Sequence, residues 1–508
     1  MPDIVLTTLN AKYIHAAFGL RYLMANLGAL EPRACIAEFD INQRPLDVAE
    51  KLLAKEPRII GFGVYIWNIA EATEVVAAIK RVRPDVLVVL GGPEVSYETE
   101  QQRIVELADY VITGEGDLKF AEVCAALLEN RPLPAKIIPA ELPDFSRLAL
   151  PYRLYTDDDI AHRIIYVEAS RGCPFTCEFC LSSLDIPVRQ VPLPALLREL
   201  QQLLDRGVKQ FKFVDRTFNL NVNVSKAILE FFLARHQPGH FFHFEMVPDR
   251  LPEALRDVIA KFPAGALQFE VGVQTFNEEV GALIKRRQNY DRLEENFRFL
   301  RGQTGVHIHA DLIAGLPGET VESFAAGFDR LVALRPQEIQ MGILKRLRGT
   351  PIVRHDAEWR MVYNPHPPYD ILQNKLIDFA TMQTLRRFAR YWDLVGNSGN
   401  FVETTPLIWS GDSPFKGFMR WSQWLHAKIG RTDSIALSRL MELLFEFLIR
   451  EMRLDARAVA QKLWNDYKRS GRHDKPGFMK DYLPGDESDS QPARKTSAPK
   501  RQARHLAA

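Results

Sequence analysis

Over the first 130 residues, short apolar runs alternate with amphipathic stretches. The runs Ile4–Leu9, Cys35–Phe39, Ile59–Tyr65, Val86–Leu90 and Tyr110–Ile112 have the length of strands, and Ala70–Val82 has helical spacing. Short strands separated by helices predict a parallel, doubly wound α/β sheet over residues 1–130, which binds ligands at the carboxyl ends of its strands. Pro132, Pro134, Pro139, Pro143 and Pro151 then interrupt any regular pattern, and residues 131–160 read as a linker. From Ile164 the alternation resumes in larger units. Ile164–Ala169, Gln210–Val214, Phe242–Met246, Leu267–Val273, His307–Ile313 and Glu338–Leu344 read as strands with helices between them. Six such units over 161–350 predict a partial (β/α)6 barrel rather than the full eight. After Thr350 the spacing turns helical. Leu372, Leu376, Phe379, Met382 and Leu385 recur every three or four residues, and Ser434 to Met452 is a second strong helix. Residues 351–475 are therefore expected to be all-α. Beyond about Asp486 large apolar side chains are few, and residues 476–508 are expected to be a disordered tail.

Composition adds exclusions. The 508 residues carry 65 Lys and Arg against 64 Asp and Glu, so no global charge points to nucleic acid or an anionic surface. Arg494, Lys495, Lys500, Arg501 and Arg504 make the tail basic, which reads as a solvated face rather than a nucleic-acid arm. The amino terminus lacks a basic segment followed by an apolar one, and no apolar run approaches the roughly 20 residues of a membrane span. The expectation is a cytoplasmic protein with no membrane partner.

Five cysteines are too few and too scattered for a disulfide framework. Cys35 and Cys124 stand alone and read as buried core residues. The other three lie on one loop after the first barrel strand, in Glu168-Ala-Ser-Arg-Gly-Cys173-Pro-Phe-Thr-Cys177-Glu-Phe-Cys180. Three thiolates on a short loop ligate three irons of a four-iron cubane and leave the fourth open. Zinc is the bland alternative, but structural zinc sites supply four ligands and no partner pair exists here.

The CxxxCxxC loop, with Phe179 before its last cysteine, resembles that of the radical S-adenosylmethionine (SAM) superfamily. The resemblance continues along the barrel. Phe213-Val-Asp215-Arg-Thr-Phe-Asn219 is similar to the second-strand motif, Glu270-Val-Gly-Val-Gln274-Thr to the fourth and Asp311-Leu-Ile-Ala-Gly315-Leu-Pro-Gly318-Glu-Thr to the fifth. It implies a 4Fe-4S cluster on the catalytic residues Cys173, Cys177 and Cys180, and SAM held near Phe179, Asp215, Gln274 and Asp311. The second-strand motif often carries adjacent acidic residues, whereas Arg216 follows Asp215 here.

The sheet in front resembles the cobalamin-binding domain of one radical SAM class. Gly61-Phe-Gly63-Val-Tyr65, Gly91-Gly92-Pro93-Glu94 and Thr113-Gly114-Glu115-Gly116 follow successive strands. Glycines there let backbone approach a broad macrocycle and its nucleotide tail; another kind of nucleotide-binding domain is the alternative. The implied cobalamin residues are Asn10, Gly63, Tyr65, Gly91, Gly92, Glu115 and Gly116. The histidine motif DxHxxG of methionine-synthase-like domains is broken: Tyr13 stands at the Asp position before His15, and Gly19 comes one residue late. Cobalt without a protein histidine ligand is expected. Lys345-Arg-Leu-Arg-Gly349-Thr350 and Asn397-Ser398-Gly-Asn-Phe401 are similar to a subgroup whose helical C-terminal domain has no assigned function.

The resemblance implies a methyltransferase in which one SAM methylates cob(I)alamin and a second supplies the radical that activates an unactivated carbon. A cobalamin-dependent rearrangement or cyclisation is the alternative, followed by a cobalamin or redox sensor. A tRNA methylthiotransferase is disfavoured because no second cysteine trio exists. A flavodoxin- or ferredoxin-type electron donor is implied.

Overall fold

The computed structural model describes residues 1–185, 187–470, 472, 476–483 and 499–506. The chain divides into two units. One comprises Met1–Arg216, Lys345–Pro351 and Asn364–Asp370, and the other comprises the remainder.

The first unit holds the sheet anticipated at the amino end: β1 (Ile4–Asn10), β2 (Ala34–Asp40), β3 (Ile59–Gly63), β4 (Leu87–Gly91) and β5 (Tyr110–Thr113). With β6 (Ile137–Pro139) at one edge, the order is β2-β1-β3-β4-β5-β6 and every pairing is parallel. Both faces are covered by helices, so inner strands read as nearly unbroken apolar runs. Val5, Ile60, Phe62, Val88 and Leu90 pack on the helices Pro45–Leu53 and Ile69–Val82. Ile4, Leu6, Ile59, Val89 and Ile112 pack with Leu20, Phe120 and Cys124 on the other face. Burial pushes the Cys124 thiol up to about 12, as befits a core residue.

The proline-rich stretch is more than a linker. Ile137–Pro139 forms β6, an edge strand on β5. Its two isoleucines suit a sheet edge, and its proline sits where no ladder donor is needed. Thr156 and Asp159 form a reciprocal cap on the short helix Asp157–His162. The same unit contributes β7 (Ile165–Val167), the two-residue antiparallel pair β8 (Ser170–Arg171) and β9 (Arg189–Gln190), and β10 (Gln210–Phe213) parallel to β7.

The second unit holds four parallel strands, β11 (Phe241–Met246), β12 (Leu267–Gln274), β13 (His307–Ala314) and β14 (Glu338–Ile343), paired in sequence order. The six barrel strands expected between 164 and 344 are thus all formed. Period-two alternation sorts their side chains: on β13, Ile308, Ala310 and Leu312 are core, while His307, His309 and Asp311 share the opposite face.

Two expectations for the C-terminal region are corrected. It is not wholly helical: β15 (Val362–Tyr363) pairs antiparallel with β16 (Ile371–Gln373). Leu372 therefore lies on a strand and Leu376 is exposed, and the helix begins only at Phe379, where Asp378 caps it. The helix predicted from Ser434 runs Leu437–Arg450. In the basic tail, Lys500–Leu506 is a helix rather than disordered chain, and Arg501 is ion-paired to Glu338 and Asp393. Arg494 and Lys495 lie outside the described residues.

Candidate functional site

In the first unit a cavity of about 320 Å³ lies along β3, β4 and β5. Gly63, Tyr65, Gly91, Gly92, Glu115 and Gly116 all line it, as do Gly19, Phe18 and Phe120. Two of these glycines illustrate separate needs. Gly92 has φ +112°, and a Cβ there would stand 2.4 Å from the Val64 carbonyl oxygen. Gly91 has no such constraint, since the nearest atom to a Cβ would be 3.8 Å away. Its missing side chain keeps the cavity wall flat instead.

Asn10 is the exception among the expected cobalamin residues. It does not line the cavity, and its Nδ2 donates to Glu38 at 2.7 Å. Glu38 also accepts from the Ala17 amide and pairs with Arg21 and Arg163. His15 is absent from the cavity wall too. Its Nδ1 lies 2.6 Å from the Tyr166 hydroxyl, and burial holds its imidazole below the ordinary histidine range. Glu94, next to the glycine pair, is occupied by Arg348 at 2.9 Å and the Tyr369 hydroxyl at 2.7 Å. Arg346 pairs with Glu98. The Lys345–Thr350 motif is thus docked on the loop after β4.

The cysteine loop is slung between β8 and β9. Gly172, at φ +90°, turns into it; a Cβ there would meet the Asp185 and Pro187 carbonyl oxygens at 2.8 Å. The Cys173 amide donates to Asp185 O and the Cys180 amide to Cys177 O. Cys173 and Cys177 are buried, Phe179 and Cys180 half-buried, and none of the five cysteines forms a disulfide. Among the described residues no three His, Cys, Asp or Glu side chains converge on a single-ion site. Three cysteines carried on one short loop are a donor set that suits three irons of a cubane.

Asp215 is fully buried behind this loop. Its carboxylate accepts from the Ala169 amide at 2.9 Å and the Ser170 hydroxyl at 2.6 Å. Burial pushes its carboxyl up to about 7, with those two bonds opposing the shift. It sets the backbone leading to Cys173.

Arg171 was not singled out in the sequence. Its guanidinium lines the cavity, two residues before Cys173. It pairs with Glu115 and Asp117 at 2.9 Å and with Glu168, and lies over the Tyr22 ring. Arg189 completes the cluster by pairing with Glu115 and Asp185. A half-buried arginine among carboxylates beside a glycine-rich cavity is legible only once the fold brings β5 and β8 together.

In the second unit, Gln274 and Asp311 sit near the carboxyl ends of β12 and β13. Gln274 has φ +70° at a bulge, and its amide folds back over Gly272, which pairs in register with Asp311. The fourth- and fifth-strand motifs are tied: Thr275 Oγ1 donates to Glu319 at 2.6 Å. Burial pushes the Glu319 carboxyl up to about 7, against that bond. Burial also raises the Asp311 carboxyl, with His309 opposing, and His309 Nε2 lies 3.3 Å from it.

Three family models match successive parts of the chain. The B12 binding domain matches residues 4–124, the Radical SAM superfamily 167–331, and a protein family of unknown function, DUF4080, 357–505. This chain is a radical SAM protein with a B12-binding domain in front of the barrel. It is 27% identical over 310 residues to an uncharacterized methyltransferase of Pyrococcus horikoshii, covering 55% of this chain and 65% of that protein. It is 24% identical to the cobalamin-dependent radical SAM methyltransferase TokK of Streptomyces tokunonensis, covering 57% of this chain and 47% of TokK. The chain thus spans less than two thirds of these curated relatives. Among solved structures, the radical SAM methyltransferase TsrM of Kitasatospora setae superposes with a TM-score of 0.59 at 18% identity, over 74% of this chain and 80% of TsrM. The cobalamin-dependent SAM radical enzyme OxsB gives 0.60 at 13% identity, over 100% of this chain and 83% of OxsB. Among the described residues no helix is long and apolar enough to cross a membrane.

Proposed function

We propose that this radical SAM protein is a cobalamin-dependent methyltransferase acting on an unactivated carbon. The observation that carries the reading is Arg171, which belongs both to the wall of the glycine-lined cavity and to the approach of the cysteine loop. Cobalamin and cluster sites then share one partly buried ion cluster. The residues that would hold cobalamin are Gly63, Tyr65, Gly91, Gly92, Glu115 and Gly116, and the cavity's volume suits the nucleotide tail. Cys173, Cys177 and Cys180 would hold the cluster, with Phe179 beside them, and Gln274 and Asp311 would face SAM. When bound, the three cofactors supply a methyl carrier, an electron and a 5′-deoxyadenosyl radical. The protein's part is to orient them and exclude water. Asp215 acts one step back, by holding Ala169 and Ser170. Names given to the Pyrococcus and Streptomyces relatives support methyl transfer.

The test uses anaerobically reconstituted protein with hydroxocobalamin, SAM and a low-potential reductant. Both S-adenosylhomocysteine and 5′-deoxyadenosine are expected, the latter at a slow uncoupled rate without substrate. Formation of 5′-deoxyadenosine alone would leave the rearrangement or cyclisation reading in place.

A further inference from the structure

The helix Lys500–Leu506 docks at the amino ends of β12, β13 and β14. Gln502 donates to Gln268 at 2.8 Å, and the His505 ring stands edge-on to His307 with centroids 5.3 Å apart. Arg501 Nη2 reaches Glu338 Oε2 at 3.0 Å and Asp393 at 2.7 Å. Its Nε donates to the Asn397 carbonyl at 3.0 Å, and the Asn397 side chain in turn brackets the Ile339 backbone on β14.

From Glu338 the polar contacts climb β13. Glu338 Oε1 lies 2.9 Å from His307 Nε2, and Oε2 lies 3.3 Å from His309 Nδ1. His309 Nε2 lies 3.3 Å from Asp311 Oδ1. Both ring nitrogens of His309 therefore face carboxylate oxygens. Both contacts are at ion-pair distance, and a ring flanked by two carboxylates favours the imidazolium over the neutral form. Burial works against that charge, but the two carboxylates prevail and push His309 up to about 10. Alternate residues of a strand share one face, which places His307, His309 and Asp311 in a row from the docked helix toward the strand's carboxyl end.

We propose that the C-terminal helix is a positioning element of the SAM site, acting through the relay Arg501–Glu338–His309–Asp311. Arg501 holds Glu338 ionised and in place. Glu338 orients the His309 ring, and His309 fixes the rotamer and charge of Asp311. No bond is made or broken in the relay; it constrains one carboxylate. A role for the DUF4080 region follows, since its match ends at residue 505, within the docked helix. The inference rests on the assignment of Asp311 to SAM.

The test is SAM affinity of cluster-loaded holoprotein, measured by equilibrium dialysis, for wild type, Asp311→Asn, Arg501→Ala, Arg501→Lys, Glu338→Gln and the double variant Arg501→Ala/Asp311→Asn. Asp311→Asn should weaken SAM binding on the order of tenfold or more, as for loss of a charged hydrogen bond. Arg501→Ala and Glu338→Gln should each weaken it roughly three- to tenfold, and Arg501→Lys, which keeps the charge but not the several contacts of the guanidinium, should fall between wild type and Arg501→Ala. The double variant should be no weaker than Asp311→Asn alone, because Arg501 acts through that carboxylate. Iron content and circular dichroism should match wild type throughout. If Arg501→Ala misfolds, Arg501→Lys and Glu338→Gln carry the comparison. Unchanged affinity in Asp311→Asn overturns the SAM assignment itself. A weak Asp311→Asn beside an unchanged Glu338→Gln, or multiplicative losses in the double variant, overturns the relay and leaves the assignment standing.

Discussion

Replacing Arg171 with Met keeps most of the side chain's volume and removes its charge from a site where the side chain is only 15% exposed. Asp117 and Glu168, at 8% and 5% exposure, then lose a partner at about 2.9 Å. Glu115 retains Arg189 and is partly spared. Removing one partner of a buried ion pair leaves an uncompensated charge, at a cost of about 3–5 kcal/mol. The first unit has roughly 230 residues. At about 2.1 cal/mol/K per residue its unfolding entropy is roughly 0.5 kcal/mol/K, so its thermal midpoint should fall by about 6–10 °C. Calorimetry of the cofactor-free protein, resolving the transition assigned to this unit, measures it. The deficit should shrink toward acid pH. Burial already raises the Glu168 carboxyl with Arg171 opposing; without the arginine it rises further. A group with a raised folded pKa favours the folded state below its unfolded value and loses that contribution as pH rises. The variant should therefore suffer less at pH 5.5 than at pH 7.5. Adding Asp117→Asn should restore part of the loss. A fall under about 2 °C, or one independent of pH, would refute the claim that this cluster is electrostatically load-sharing between cavity and loop.

Changing Cys173, Cys177 and Cys180 together to Ala should abolish the iron-sulfur EPR signal and iron content, while Cys35→Ala and Cys124→Ala leave both; a cluster that survives the triple change contradicts the ligand assignment. His15→Ala should leave the EPR of bound cob(II)alamin unaltered, because His15 is held by Tyr166 away from the cavity; nitrogen superhyperfine splitting that vanishes in the variant would contradict this. Asp215, raised to about 7 chiefly by burial, contributes stability that is full below its ordinary carboxylate value and lost as pH rises through about 7. Asp215→Asn should flatten that slope in midpoints measured from pH 5 to 8, and an unchanged slope would place it elsewhere.

The strands of both parallel sheets were legible because buried strands are long apolar runs between turn signals. The edge strand Ile137–Pro139 was not, since three residues among prolines carry no period. Leu372 misled because apolar residues of a short hairpin and of a following helix happen to fall at three- and four-residue intervals. The tail helix was hidden by composition: its basic residues look solvated until Glu338, far away in sequence, supplies the counter-charge. Glycines at three strand ends located the cavity, because flat walls need them. Asn10 did not follow, since position at a strand end says nothing of the partner, and Glu38 on the neighbouring strand took it. Asp215, expected near SAM, also braces the cysteine loop through the Ala169 amide and the Ser170 hydroxyl, a role that only its hydrogen bonds reveal.

The most direct test of the two-cofactor account is the stoichiometry of the first turnover. Holoprotein loaded with graded amounts of cobalamin, reduced and mixed with excess SAM, should release a burst of S-adenosylhomocysteine that rises in proportion to bound cobalamin, with one equivalent per cobalamin at saturation. A burst independent of cobalamin loading, or none while 5′-deoxyadenosine accumulates, would contradict it.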